Sequence, residues 1–267
     1  TGVSVTGGIV GSTDATINSI TVGKGANSVA GNTVLGESAL DAAVTGGNNV
    51  AIGKFALSAN TSGNQNIAIG RNSLLNNQTG IYNVGVGDST LANTTGSFNI
   101  AMGQNALVAN TSGTHNVGIG NFTLDTNTTG GLNVAVGPSA LGANSTGSNN
   151  VAVGNSALGS NTTASENVAV GKYAMQDNTT GTNNVSVGIL ALGNNTTANN
   201  NTGLGAYALL INTTGSNNTA VGYNSLLSNT TGTKNAAFGT QSLDANTTGD
   251  FNTALGHNTL GLNTTGD

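Results

Sequence analysis

The sequence predicts an all-β chain, a parallel β-solenoid of about 14 coils with a 17-residue repeat. Three observations predict it. An Asn recurs at almost fixed spacing, each Asn opens a short run in which residue character alternates, and Gly and Asn-Thr-Thr-Gly punctuate the runs.

The recurring Asn stands at Asn32, Asn49, Asn66, Asn83, Asn99, Asn116 and so on to Asn252. Every step is 17 residues except Asn83 to Asn99, which is 16. Counting from this Asn as position 1, position 5 is Gly in every unit, from Gly36 to Gly256. Position 9 is Leu in every unit but one, which has Met175. Position 4 is always large and apolar, as in Leu35, Ile52, Met102 and Leu255. Position 3 is small except at Val34, and position 8 is Ala, Ser or Thr. A helix would repeat apolar residues at three and four. Asn133 to Gly137 alternates with period two instead, as a strand does. Each unit therefore reads as two short strands joined by two turns, and stacked units make a solenoid.

Coils stacked about 4.8 Å apart put identical positions above one another. Positions 4 and 9 are expected to form the interior, with Val136, Val153, Val170, Leu141 and Leu158 pointing inward. Position 3 then faces away, and it or position 8 is expected to lie against a neighbouring chain. The Asn columns are expected to form amide ladders. Gly at positions 5 and 15 suits special backbone angles, although Ala164 and Ala198 at position 15 argue against a strictly positive φ there. A thin coil buries little apolar surface against the entropy of ordering it, so contact with other chains is expected. In the short unit the missing residue falls between Leu91 and Asn93. Val86, Leu91 and Met102 are expected to stay aligned with their neighbours, because a slip would turn an apolar face outward.

Composition excludes several functions. Only 6% of residues are charged and the net charge is −5, which offers no basic patch for nucleic acid. No apolar stretch approaches a membrane-spanning helix, so no membrane insertion by this segment is expected. There is no Cys, hence no disulfide or thiolate metal site. His115 and His257 fall on distant coils, and Glu37, Asp88, Asp125, Glu166 and Asp244 are spread singly. A carboxylate pair for catalysis needs two groups within several ångströms. The sequence "Gly171-Lys172" continues with Tyr173 and so is no phosphate loop. No enzyme activity, catalytic residue, cofactor or metal is expected. No charged leader precedes Thr1 and the chain stops within a repeat, which suits a mature or excised segment.

Asn18-Ser19-Ile20-Thr21-Val22-Gly23, followed after 14 residues by Asn32-Thr33-Val34-Leu35-Gly36, resembles the head repeat of trimeric autotransporter adhesins. The later Asn-Val-Ala-Val-Gly units resemble the longer variant found in phage tail-fibre and bacterial surface fibre proteins. The resemblance covers about residues 18 to 267. It implies a left-handed β-roll assembled as a homotrimer, extracellular, on a bacterial surface or a virion tail fibre. It divides the chain into a lead-in over 1–17, one 14-residue adhesin-head-like coil over 18–31, and the 17-residue array over 32–267.

The expected function is a structural fibre shaft or adhesin head mediating attachment, its partners being further copies of itself and a host-surface glycan or protein receptor. The alternative is a rod that binds surface glycans directly. Candidate glycan-contact aromatics sit at position 7 (Phe55, Phe122, Tyr173, Tyr207) and just before the opening Asn (Tyr82, Phe98, Phe251). Packing between coils or subunits is the competing use of such rings. The Asn-x-Ser/Thr sequence at position 12 reads as a turn rather than a glycan acceptor. A flat Thr array for ice is not expected, since adjacent Thr128 and Thr129 should point apart.

Overall fold

The computed structural model describes residues 14–17 and 19–266. Its strands, numbered β1 to β16 in chain order, form one sheet in that same order. From β3 (Thr33–Gly36) to β16 (Thr253–Leu255) each strand lies parallel to the next, giving a parallel β-solenoid of about thirteen turns. Register follows the repeat: Val151, Ala152 and Val153 of β10 pair with Val168, Ala169 and Val170 of β11.

The N-terminal segment departs from the array. Residues 1–13 of the expected lead-in, and Asn18, lie outside the described residues. β1 (Ala15–Ile17) and β2 (Ile20–Gly23) pair antiparallel, and β2 is antiparallel to β3. Residues 19–31 of the expected 18–31 coil thus do not stack as a parallel coil. Gly25, Asn27 and Gly31, with φ of 78°, 63° and 81°, reverse the chain before it completes a circuit.

Each coil contains one strand, at positions 2 to 4, not the two expected from the repeat. Positions 7 and 9 are left-handed, as at Phe55 (φ 60°) and Leu57 (φ 50°), so the second half of the coil is a chain of turns. Its hydrogen bonds still join coils. The Phe55 N–H donates back to the Glu37 carbonyl (3.0 Å) and the Leu57 N–H donates forward to the Ser73 carbonyl (3.0 Å). Position 5 takes φ near 120–136° from Gly53 onward. A Cβ on Gly53 would also sit 2.6 Å from the Gly70 carbonyl oxygen, so Gly is required on both counts.

The interior corrects the expected burial. Position 3 is buried throughout the array, as at Ala51, Ala135, Ala152 and Ala169. Position 4 faces outward: Val136, Val153 and Val170 are half-buried, while Met102, Ile119 and Leu204 are exposed. Position 9 points inward as expected, with Leu141 and Leu158 fully buried. The reason is room. A 17-residue coil encloses space for one large side chain per turn, and the position-9 Leu takes it. It packs against position 3 of the next coil: a Cβ on Gly118 would lie 3.4 Å from Leu107 Cδ1. Position 8 is also interior, so neither it nor position 3 faces a neighbouring chain.

Two Asn columns complete the interior. At position 1, the Asn150 N–H and side-chain amide both donate to Asn133 Oδ1 (3.0 and 3.2 Å). The same amide reaches across the coil to the Ala164 carbonyl (2.9 Å). At position 12, Asn161 Nδ2 donates to Asn144 Oδ1 (2.9 Å) and to that same Ala164 carbonyl (3.0 Å). The position-15 carbonyl thus gathers both amides, and both Asn columns are buried. Position-12 Asn is therefore a turn residue in the folded rod.

Candidate functional site: the outward face of the sheet

Strand alternation places positions 1 and 3 inside, so 2 and 4 lie outside with the residue before each Asn. Position 2 is Val or Ile in most coils and position 4 is always large and apolar. Two apolar columns therefore run the length of the sheet. Their side chains stay partly open, with Met102 at 40% and Phe238 at 39% exposure. Soluble monomers rarely expose contiguous apolar surface beyond a few hundred Å². Sequence reasoning missed this face. The signal was present in position 3, where Gly85, Gly118 and Gly203 alternate with Ala, a sign of confinement rather than of contact with another chain.

The two ends of each strand flank this face. At one end, position 17 carries Tyr82, Phe98 and His115 on three successive coils. Tyr82 and Phe98 stack at 5.1 Å between centroids and 10° between planes, and Phe98 and His115 at 4.9 Å and 14°. Phe251 stands far away in the same column, with Lys234 Nζ 4.6 Å from its ring centre. At the other end lie positions 6 and 7. Lys54 Nζ sits 5.0 Å from the Phe55 ring centre and Lys172 Nζ 4.8 Å from that of Tyr173. Tyr207 meets Tyr223, which the sequence reading passed over, edge to face at 5.9 Å. Phe122 is exposed. The seven candidate aromatics are thus not gathered into one site. They are split between two ends of the strands, and the inner faces of Tyr82 and Phe98 cover each other.

Two surface ion pairs join neighbouring coils among the described residues. Lys54 reaches Glu37 (2.9 Å), and Arg71 grips both oxygens of Asp88 (2.8 and 3.1 Å). The Arg71 hydrogen bond holds the Asp88 carboxyl below its ordinary pKa. Bonds from the Thr233 backbone and hydroxyl do the same for Asp250. Burial pushes Asp125 up, against the opposing N–H groups of Asp125 and Thr126. Among the described residues no group of three His, Cys, Asp or Glu could hold a metal, and no helix is long and apolar enough to cross a membrane. Position 13 and 14 Thr do diverge: the Thr128 hydroxyl donates to the Ser145 carbonyl (3.0 Å), while Thr129 points to solvent. Comparison with known proteins finds no family model, curated protein or solved structure that matches this chain.

Proposed function

We propose that this chain is a non-catalytic rod that associates with copies of itself, as a homotrimer, into an extracellular fibre shaft or adhesin head. The observation that carries the reading is the double apolar column at positions 2 and 4, which nothing among the described residues covers. Its occupant must be straight, apolar and periodic at the coil spacing of about 4.8 Å. A second copy of the same repeat meets all three demands. The resemblance to trimeric adhesin heads and fibre proteins supports three copies, and a stiff repetitive rod suits spacing an attachment device from a surface.

Sedimentation of the intact chain, with electron microscopy of the same sample, tests the reading. An elongated particle of three times 25.9 kDa is expected. A monodisperse, heat-stable monomer would overturn it, and a dimer would overturn the trimer. Direct glycan recognition remains the second reading, favoured by the exposed ring of Phe122. Glycan-array binding by the isolated rod would support it, through many weak contacts acting together.

A further inference from the structure

We propose that Glu166 of one copy of this chain forms an ion pair with Lys172 of a second copy. The inference rests on the self-association just described, whatever the number of copies. Glu166 and Lys172 stand at opposite ends of β11 (Val168–Val170), immediately outside Asn167 and Gly171. Both are exposed. Within one chain the intervening residues, extended at about 3.3 Å each, hold them more than about 13 Å apart. The two ion pairs found among the described residues, Lys54–Glu37 and Arg71–Asp88, involve neither. Among the described residues Lys172 Nζ meets only the Tyr173 ring, which leaves its ammonium donors open.

Rotational symmetry brings these ends together. Copies that bury the same sheet face about an axis along the rod keep equal heights. The position-17 end of each strand then abuts the position-6 end of the same strand in the next copy. That rule matches side chains level by level. Around Val134–Val136 it sets Leu132, 58% exposed, against the only proline, Pro138. Around β10 (Val151–Val153) it sets Asn149 against Asn155, amide to amide. Around β11 it sets a carboxylate against an ammonium. No strand of the array carries like charges at both ends.

Charge swapping tests the pair by sedimentation equilibrium of the full chain. Glu166→Lys alone and Lys172→Glu alone should each weaken assembly by about tenfold or more, since each juxtaposes like charges. The double swap should restore the wild-type value. In a second test, Glu166→Cys with Lys172→Cys should yield disulfide-linked rings or ladders of copies on a chain that otherwise has no cysteine, because the pair is too far apart to close within one chain. An oligomer indifferent to both single reversals, or one whose cysteines fail to link, overturns the pair and leaves self-association standing. A wild-type monomer overturns both.

Discussion

Asn150 shows how much one side chain does in this rod. Its Oδ1 accepts the Asn167 N–H at 3.1 Å, and its amide holds the Ala164 carbonyl and Asn133. Asn150→Ala leaves the buried Asn167 N–H without a partner, which should cost about 1–3 kcal/mol, read as a fall in thermal or denaturant stability. A surface change such as Thr129→Ala should move it by less than about 0.5 kcal/mol. Asp125 carries the opposite lesson. Burial raises its folded pKa, so its ionised form opposes folding. That penalty is absent below the unfolded pKa, grows as pH rises from there, and is complete once pH has passed the raised folded value. Asp125→Asn should therefore stabilise the rod at neutral pH, with the gain vanishing below about pH 4. A gain unchanged between pH 3 and pH 7 would contradict the burial argument. The position-9 Leu pays for its place with a left-handed backbone, φ 48–54° for the leucines of this column, a cost of about 1–2 kcal/mol each that burial, complete in all but the last coil's Leu260, must exceed.

The 16-residue coil shows what the element tolerates. Val84, Gly85 and Val86 pair with Ile100, Ala101 and Met102, so the sheet runs unbroken across it, as the alignment of Val86 and Met102 anticipated. The lost residue is not absorbed before Asn93. Asn93 is exposed, and Thr94 occupies the buried place of position 12. Its N–H closes the turn onto the Leu91 carbonyl (3.3 Å), and its hydroxyl accepts from Asn110 Nδ2 (3.0 Å) and the Gly96 N–H (3.1 Å). The turn from position 9 to 12 has fixed length because it buries Leu; the outer bend is elastic and drops the exposed position 14. Thr94 has no amide to extend the ladder, and Asn77 Oδ1 is buried without a partner, as is Asn60 Oδ1 one coil before it. Inserting one residue between Ala92 and Asn93 should seat Asn93 in the ladder and pair Asn77 Oδ1. A stabilisation of about 1–3 kcal/mol is expected; a loss would mean the shortened bend is the preferred one.

At the scale of the molecule, the repeat, its period and the parallel stacking were legible in the sequence because every coil restates them. The Asn ladders and the buried Leu were legible for the same reason. Which side of the strand faces inward was not. Invariant size at position 4 is compatible with either side, and what decides is volume: Leu at position 9 already fills the coil. The single strand per coil was equally hidden, since Leu91 or Leu141 gives no local sign of a left-handed backbone. The candidate aromatics were legible as columns but not as neighbours, because the stack of Tyr82, Phe98 and His115 depends on coil spacing and rotamers rather than on pattern.

The inversion of positions 3 and 4 underlies the whole functional reading, and one measurement addresses it. Sedimentation mass and circular dichroism can be compared for the wild type and two variants, Val153→Glu and Ala152→Glu. Val153 faces outward and Ala152 is buried. Val153→Glu, repeated at Val136 and Val170, should release folded monomers of 25.9 kDa with the β spectrum intact. Ala152→Glu should instead disrupt the coil itself, because it buries an unpaired charge. A Val153→Glu variant that unfolds, or one that stays assembled like the wild type, would contradict the account.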